Sequence, residues 1–495
     1  MSRKLLYLFL FVSLSSFAQI TPKREFRGAW VSIIYQDQYP QLSVPEMKQY
    51  FIAMLDSLQA CNMNAILFQV RPSADAVYAS TIEPWSKHLT GQQGRAPKDN
   101  FDPMAFVIEA AHDRHIEFHA WINPYRVTSS ANEPLHPGHI YFKHPERFVT
   151  YGGKIYFDPG LPENREYICQ VVRDIVSRYD VDAIHTDDYF YPYPIAGEQF
   201  PDDKSFHRYG HLQGFSSNQR ADWRRNNVND LIREIKRTIV LTKPWVRFGV
   251  SPFGIYRNKK NTPDGSGSAT NGLQNYDDLY ADVKYWVEQG WIDYNIPQIY
   301  WEIGNKAADY DELIRWWTRN NYGKHLYIGQ DVARTMKAGD LAQKMQLERS
   351  LPGVYGNCWW PVYEILKNNG NSKSHLQNNY QRYPALIPPY THQHHRAPKD
   401  VKSLKTEWTA NGYALNWKRN GDPSNPEKAQ YYVIYRFGNK EKTNLDDPSK
   451  IVAITRNTSY LLPYQSGKEK YKYVVTSVDR FHNETKKGKS KTVKL

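Results

Sequence analysis

Between about residue 25 and residue 365 the apolar positions follow two rhythms that take turns. Short, nearly continuous apolar runs predict strands at 27–32, 65–71, 117–123, 181–187, 247–253, 292–301, 325–330 and 353–360. Between them, apolar residues recur at helical spacing. The first such stretch, 44–61, places Met47, Phe51, Met54, Leu55 and Leu58 on one face. Further helices are expected at 101–115, 164–179, 223–240, 277–289, 310–320 and 340–349. Asp102-Pro103 offers a cap and a first-turn proline for the second of them, and Gly290 a stop for the fifth. Strands without polar alternation belong to a sheet covered on both faces. Strand and helix alternating through eight strands predict an α/β chain folded as a (β/α)8 TIM barrel.

That barrel spends about 340 residues where ~250 is usual. The excess lies at 72–100, 124–160, 188–222 and 254–275, each following a strand, so it roofs the face where such barrels bind substrate. The rhythm changes after Leu386. Residues 388–398 are rich in Pro and His and read as a linker that few contacts cross. Its histidines lie in a flexible tract and are not expected to hold a metal. Short alternating stretches follow at 404–409, 412–417, 431–437, 450–455 and 471–478. With Trp417 and Tyr473 they suggest a fibronectin type III-like β-sandwich over 399–495. The barrel domain is then 19–387.

Composition narrows the class. Of 495 residues, 40% are hydrophobic and 23% charged, a soluble globular balance. Aromatics reach 14%, with 37 Tyr and 14 Trp, an excess that suits sugar rings. Arg3 and Lys4 followed by an apolar run to Val12, then Ser16-Phe17-Ala18, read as a signal peptide over 1–18 cleaved after Ala18. Export to the periplasm or beyond is expected. No later run approaches the ~20 apolar residues of a membrane span. The net charge is +13 and falls by two when Arg3 and Lys4 leave. A basic exported protein attracts acidic glycan or anionic lipid, and export makes nucleic acid the weakest partner. Lys486, Lys487, Lys489, Lys491 and Lys494 read as a solvated tail. Cys61, Cys169 and Cys358 are far apart and lack CxxC spacing, so they read as buried thiols rather than a disulfide or zinc site.

The chemistry concentrates in Asp182-Ala-Ile-His-Thr-Asp-Asp-Tyr-Phe-Tyr-Pro192. A short strand there ends in two carboxylates followed by aromatics, at the barrel face that carries catalysis. Alternation turns His185 and Asp187 into the lumen and Ile184 and Thr186 toward the helices. Asp188 is the first loop residue. Glycoside hydrolysis commonly uses two carboxyl groups across the scissile bond. The catalytic candidates are therefore Asp187, Asp188 and Glu302, with Asp75, Glu83 and Asp331 as other possible partners. Arg71 and Arg126, at strand ends, suit either a sugar carboxylate or the orientation of Asp75, Asp187 or Asp188. Trp121, Tyr189, Tyr191, Tyr300, Trp301 and Trp360 crowd one rim, and two or three should stack on sugar. Asp75, Glu83, Trp85, Asn123 and His185 complete the candidate binding set.

Seven segments, in order, carry a resemblance over about residues 24–370. They are Phe26-Arg-Gly-Ala-Trp-Val-Ser32, Gln69-Val-Arg-Pro72, Glu83-Pro-Trp-Ser86, Ala120-Trp-Ile-Asn-Pro-Tyr-Arg126, Phe157-Asp-Pro-Gly160, Asp187-Asp-Tyr-Phe-Tyr-Pro192 and Pro297-Gln-Ile-Tyr-Trp301. Together they resemble the glycosyl hydrolase-like 10 family. The resemblance implies an exported barrel hydrolase of bacterial glycans, linked to peptidoglycan strands that have lost their peptides. No cofactor is expected, and the partner expected is an acidic cell-wall polysaccharide. Two rivals remain open. A non-catalytic glycan-binding protein would need no intact Asp pair. A metal-dependent polysaccharide deacetylase would need three ligands, for which His119, His185 and Asp187 are candidates.

Overall fold

The computed structural model describes residues 21–495 apart from Tyr35, Asp37 and Ala131, so the expected signal peptide lies outside the described residues. Among those residues, parallel strands close into an eight-stranded barrel in chain order. They are Phe26–Val31, Ala65–Arg71, Glu117–Ile122, Ala183–Thr186, Arg247–Val250, Tyr294–Asn295, His325–Asp331 and Val354–Trp360. The first strand pairs with the second and with the eighth, which leaves the barrel without an edge.

Alternation along each strand divides two cores. Ile66, Phe68, Ile184, Phe248 and Ile328 point outward and pack under the helix ring. Phe26, Trp30, Leu67, Trp121, Tyr294 and Tyr327 fill the lumen. Phe26 stacks on Tyr327 with ring centroids 3.9 Å apart. Bulky lumen residues make the barrel a packed plug whose chemistry is confined to its top.

The helices form where apolar spacing requires them. Val44–Ala60 buries Met47, Phe51, Met54, Leu55 and Leu58, and Ser43 with Glu46 builds its capping box. Pro103–Asp113 starts as expected, with the Asp102 side chain accepting from Ala105 N. The helix expected at 277–289 is two short pieces, Asn275–Asp278 and Val283–Glu288, and Tyr280 between them takes a left-handed φ of 53°. The sixth strand is cut to two residues. Pro297 has no N–H to continue the ladder, and pairing resumes only as isolated bridges of Gln298 with Phe253 and with Gly329. The long 124–160 segment folds a hairpin of Phe148–Tyr151 and Lys154–Phe157, whose Tyr156 bridges to Arg126. Its turn is Gly152-Gly153, at φ 56° and 68°, where two left-handed residues are needed.

Beyond the barrel, two antiparallel sheets pack face to face. One holds Leu404–Thr409, Gly412–Trp417 and Ser459–Leu461; the other holds Ile451–Thr455, Tyr431–Gly438, Lys470–Val478 and Lys489–Lys494. Leu415, Trp417, Tyr432, Ile434, Tyr473 and Val475 form the core between them. The lysine-rich end is not a solvated tail. Lys489–Lys494 is an edge strand with Val493 buried, and its exposed lysines discourage pairing with another sheet.

The segment 388–398 is not a sparsely contacted tether either. Tyr390 is fully buried at the foot of the lumen, under the Arg247 guanidinium (4.5 Å to the ring), and its hydroxyl meets that of Tyr327 at 2.5 Å. His392 Nε2 lies 3.2 Å from Asp293 Oδ1. Ion pairs then tie the C-terminal sheets to the barrel: Arg480 to Asp180 at 2.6 Å and Lys23 to Glu484 at 2.6 Å. The barrel foot buries charge that needs partners, and a run of Pro and His hides that need from a reading of periodicity. Cys61, Cys169 and Cys358 are buried and unpaired. No helix among the described residues is long and apolar enough to cross a membrane.

Candidate active site

The fourth strand ends at Thr186 and delivers Asp187 and Asp188 to the top of the barrel. Both carboxylates are buried, and both line one cavity of about 350 Å³. They turn toward opposite neighbours. Asp187 leans to the third strand, where Trp121 Nε1 donates to its Oδ2 (3.0 Å) and Asn123 Nδ2 reaches both oxygens (3.2 and 3.3 Å). Tyr189 N donates back to Oδ1 (3.3 Å), an Asx-type closure that opens the loop. Asp188 leans toward the end of the sixth strand, just past which Gln298 Nε2 donates to its Oδ1 (3.0 Å), and the hydroxyl of Tyr193, in the loop that Asp188 itself opens, donates to its Oδ2.

These surroundings separate the two acids. Burial pushes the Asp187 carboxyl up, opposed by the Arg126 charge and by the Trp121, Asn123 and Tyr189 donors. Burial and then the neighbouring Asp187 charge raise Asp188 to about 6, with Tyr193 and Gln298 pulling the other way. Asp188 thus keeps its proton up to about pH 6, while Asp187, which burial also raises, has three donors that favour its anion. An acid and a carboxylate side by side are the equipment of general acid–base chemistry.

The structure sorts the other candidates. Trp121, Arg126, Tyr189, Tyr300, Trp301 and Trp360 all line the cavity. Trp360 ends the eighth strand, directly across the barrel from Asp187, and meets Trp121 edge to face at 6.1 Å. Arg126 is anchored by Nε to Pro72 O (3.1 Å) and lies over the Tyr189 ring at 5.0 Å. Asn123 is fully buried; it donates to Asp187 and accepts from Arg126 N (2.9 Å), so it orients both.

Several candidates lie elsewhere. Arg71 is fully buried and committed to Glu83, with Nε to Oε2 at 2.8 Å and Nη2 to Oε1 at 2.6 Å. It also donates to Pro124 O (3.1 Å), so both residues brace the loop that carries Asn123, and neither lines the cavity. Asp75 is sealed behind Gln93 (3.2 Å), and burial lifts it to about 7 away from the cavity. Trp85 packs on the main core. Tyr191 is buried against Tyr280, Phe200 and Arg224. Glu302 accepts from Asn305 (2.7 Å) within its own loop, a bond that keeps its carboxyl low, and it does not line the cavity. Asp331 caps helix Val332–Ala338 through Arg334 N (2.7 Å). Glu302 and Asp331 satisfy a loop and a cap within three residues of themselves, whereas Arg71, Asp75 and Tyr191 are drawn off by partners further along the chain.

His185 points into the lumen as expected, but below the cavity floor. Its Nε2 is 2.9 Å from Ser251 Oγ and its Nδ1 3.2 Å from the Tyr294 hydroxyl. His119 shares that hydroxyl (2.8 Å) and leans on Glu117 (3.0 Å). Burial holds both imidazoles below their usual range. Among the described residues no three His, Cys, Asp or Glu side chains converge as metal ligands, so the deacetylase geometry is not assembled.

The lining residues that the reading of the sequence did not single out include Trp30, Tyr193, Gln298 and Arg334. Gln298 lies inside the quoted Pro297–Trp301 motif, and Tyr193 directly follows the Asp-Asp-Tyr-Phe-Tyr-Pro run. Arg334, on a helix after the seventh strand, had no local signal.

The model of the glycosyl hydrolase-like 10 family matches residues 25–345. Glycosyl hydrolase YngK of Bacillus subtilis (strain 168) is 40% identical over 497 residues, covering 97% of this chain and 96% of that protein. Glycosyl hydrolase DigH of Escherichia coli (strain K12) is 39% identical over 311 residues, covering 59% of this chain and 69% of that one. Among solved structures, the glycoside hydrolase domain of PgaB (BpsB) from Bordetella bronchiseptica aligns over 71% of this chain and 98% of its own, with a TM-score of 0.49 and 11% identity.

Proposed function

Because this chain belongs to the glycosyl hydrolase-like 10 family and is a glycoside hydrolase, we propose that Asp187 and Asp188 cleave an acidic bacterial cell-wall glycan, namely peptidoglycan strands that have lost their peptides. The observation that carries the reading is the buried Asp pair facing one cavity whose lining also holds Arg126 and Arg334. Asp188 enters protonated and gives its proton to the glycosidic oxygen as the bond to the anomeric carbon breaks. Asp187, held by Trp121 and Asn123, supports the positive charge that develops on the sugar.

The two guanidinium groups suit the lactyl carboxylate that recurs on every second sugar of the peptide-free strand, where Arg offers two-point pairing. Arg126 keeps the substrate role expected of it, and Arg334 takes the role first given to Arg71. Trp121, Trp360, Tyr300 and Trp30 offer apolar ring faces to the C–H side of a pyranose. A basic chain with a leader-like start fits action outside the cytoplasm on the wall polymer. Release of reducing ends from peptide-free glycan, intact peptidoglycan, chitin oligomers and neutral glucans tests the assignment. Peptide-free glycan should be the best substrate. Equal or faster cleavage of a neutral glucan would remove this substrate and leave the hydrolase.

A further inference from the structure

We propose that the nucleophile of this site is the 2-acetamido group of the substrate itself, so that the enzyme acts on β-linked 2-acetamido sugars and retains their configuration. This rests on Asp187 and Asp188 being the catalytic pair. Displacement at an anomeric carbon needs a nucleophile on the face opposite the leaving group. Here the two carboxylates are consecutive residues from one strand end, about 3.8 Å apart at their Cα atoms. They diverge sideways, Asp187 to the third strand and Asp188 to the sixth. They therefore approach a bound sugar from the same side.

The far wall offers nothing to complete the usual pair. The first, seventh and eighth strands, on the side of the barrel away from the fourth, and the segments that follow them contribute Trp30, Ser32, Ile34, Arg334 and Trp360. Among the described residues Asp187 and Asp188 are the only carboxylates that line the cavity. Glu302 and Asp331, the nearest acids by position, are spent on Asn305 and on a helix cap. An aromatic wall is a poor nucleophile and a good bed for an acetyl methyl group.

The atoms balance as follows. Asp188 donates its proton to the glycosidic oxygen while the bond from that oxygen to C1 breaks, and the leaving sugar departs as an alcohol. The acetamido carbonyl oxygen forms a new bond to C1 from the opposite face, closing an oxazoline ring. Asp187 accepts the hydrogen bond of the acetamido N–H and balances the positive charge of that ring. Its existing donors, Trp121, Asn123 and Tyr189, fix the carboxylate and leave a lone pair for this contact. Asp188, now a carboxylate, takes a proton from water as the water oxygen bonds to C1 and the ring bond from C1 to the acetyl oxygen breaks. The amide is restored and the sugar keeps its original anomeric configuration.

The test uses the full chain and aryl β-glycosides of glucosamine carrying N-acetyl, N-difluoroacetyl and N-trifluoroacetyl groups, all with one leaving group. Fluorine drains the acetyl oxygen, so kcat/KM should fall steeply along the series. NMR of the first product from an acetylated glycan oligomer should show the β anomer. Asp331→Asn, which keeps a capping side chain, and Glu302→Gln should retain turnover. A flat fluorine series, an inverted product, a glycosyl-enzyme adduct trapped by a 2-fluoro sugar, or loss of turnover in either variant would overturn substrate assistance and leave the hydrolase reading standing. No reducing ends from any 2-acetamido glycan would instead overturn the proposed function.

Discussion

His482, in the loop between the last two strands of the C-terminal sheets, places its Nε2 2.8 Å from Oε1 of Glu117 at the buried foot of the third barrel strand. Glu117 is also bound by Arg247 and His119. Burial alone would raise this carboxyl; Arg247 and then His482 hold it well below the ordinary range. The C-terminal sheets thus complete a charge network inside the barrel wall, and the two parts stabilise one another.

Ending the chain at residue 387 should therefore destabilise the barrel, contrary to what a free linker implies. It removes His482 and uncovers the lumen foot that Tyr390 fills. Tyr390 burial alone is worth about 2–3 kcal/mol. His482→Leu should lower the melting temperature in the intact chain. The loss should persist from neutrality down to the ordinary carboxylate range and fade only below it, because a depressed carboxylate gives up its stabilisation as pH falls from its unfolded value toward its folded one. A truncated chain that melts like the parent would contradict the coupling.

Asp187→Asn and Asp188→Asn should each cut turnover by about 10²- to 10⁴-fold with little change in melting temperature. Size is kept, while the proton or the charge is lost. Near-native turnover in either variant would leave that residue a structural role.

The fall of kcat/KM at alkaline pH should centre near the value of about 6 to which burial and Asp187 raise Asp188, since the acid must start protonated. Gln298→Leu and Tyr193→Phe each remove a donor that favours the Asp188 anion. In both, the alkaline limb should move to higher pH. A pH–rate profile of each variant checks the direction, and an unmoved limb would assign the titration to another group.

Arg71→Met should cost about 3–5 kcal/mol of stability, because it strands Glu83 in a buried site. Thermal melts would show it whether or not substrate is present. Arg126→Ala and Arg334→Ala should instead weaken binding of an acidic glycan and flatten its salt dependence, which arises from charges screened beyond ~8 Å. Titration of a peptide-free oligosaccharide at two salt concentrations separates the two behaviours. Equal affinity in the Arg126 and Arg334 variants would argue against carboxylate recognition.

The order of apolar runs determined the barrel by itself. Eight buried strands and their crossovers can close in few ways, and the position of Asp187-Asp188 at a strand end put the chemistry at the top face. What periodicity could not carry was pairing between residues distant in the chain. Arg71 and Arg126 look alike in sequence, yet Glu83 folds back onto Arg71 and buries it, while Arg126 stays at the cavity. Gln298 becomes a partner of Asp188 only because the fourth and sixth strands lean toward the same rim, 110 residues apart in the chain. Lys489–Lys494 reads as a tail until a neighbouring strand supplies its ladder. Tyr390 reads as linker until the lumen foot offers it a place. Local pattern decides which elements form. Desolvation and the need of each buried charge for a partner decide which side chains meet, and those terms exist only once the chain has closed on itself.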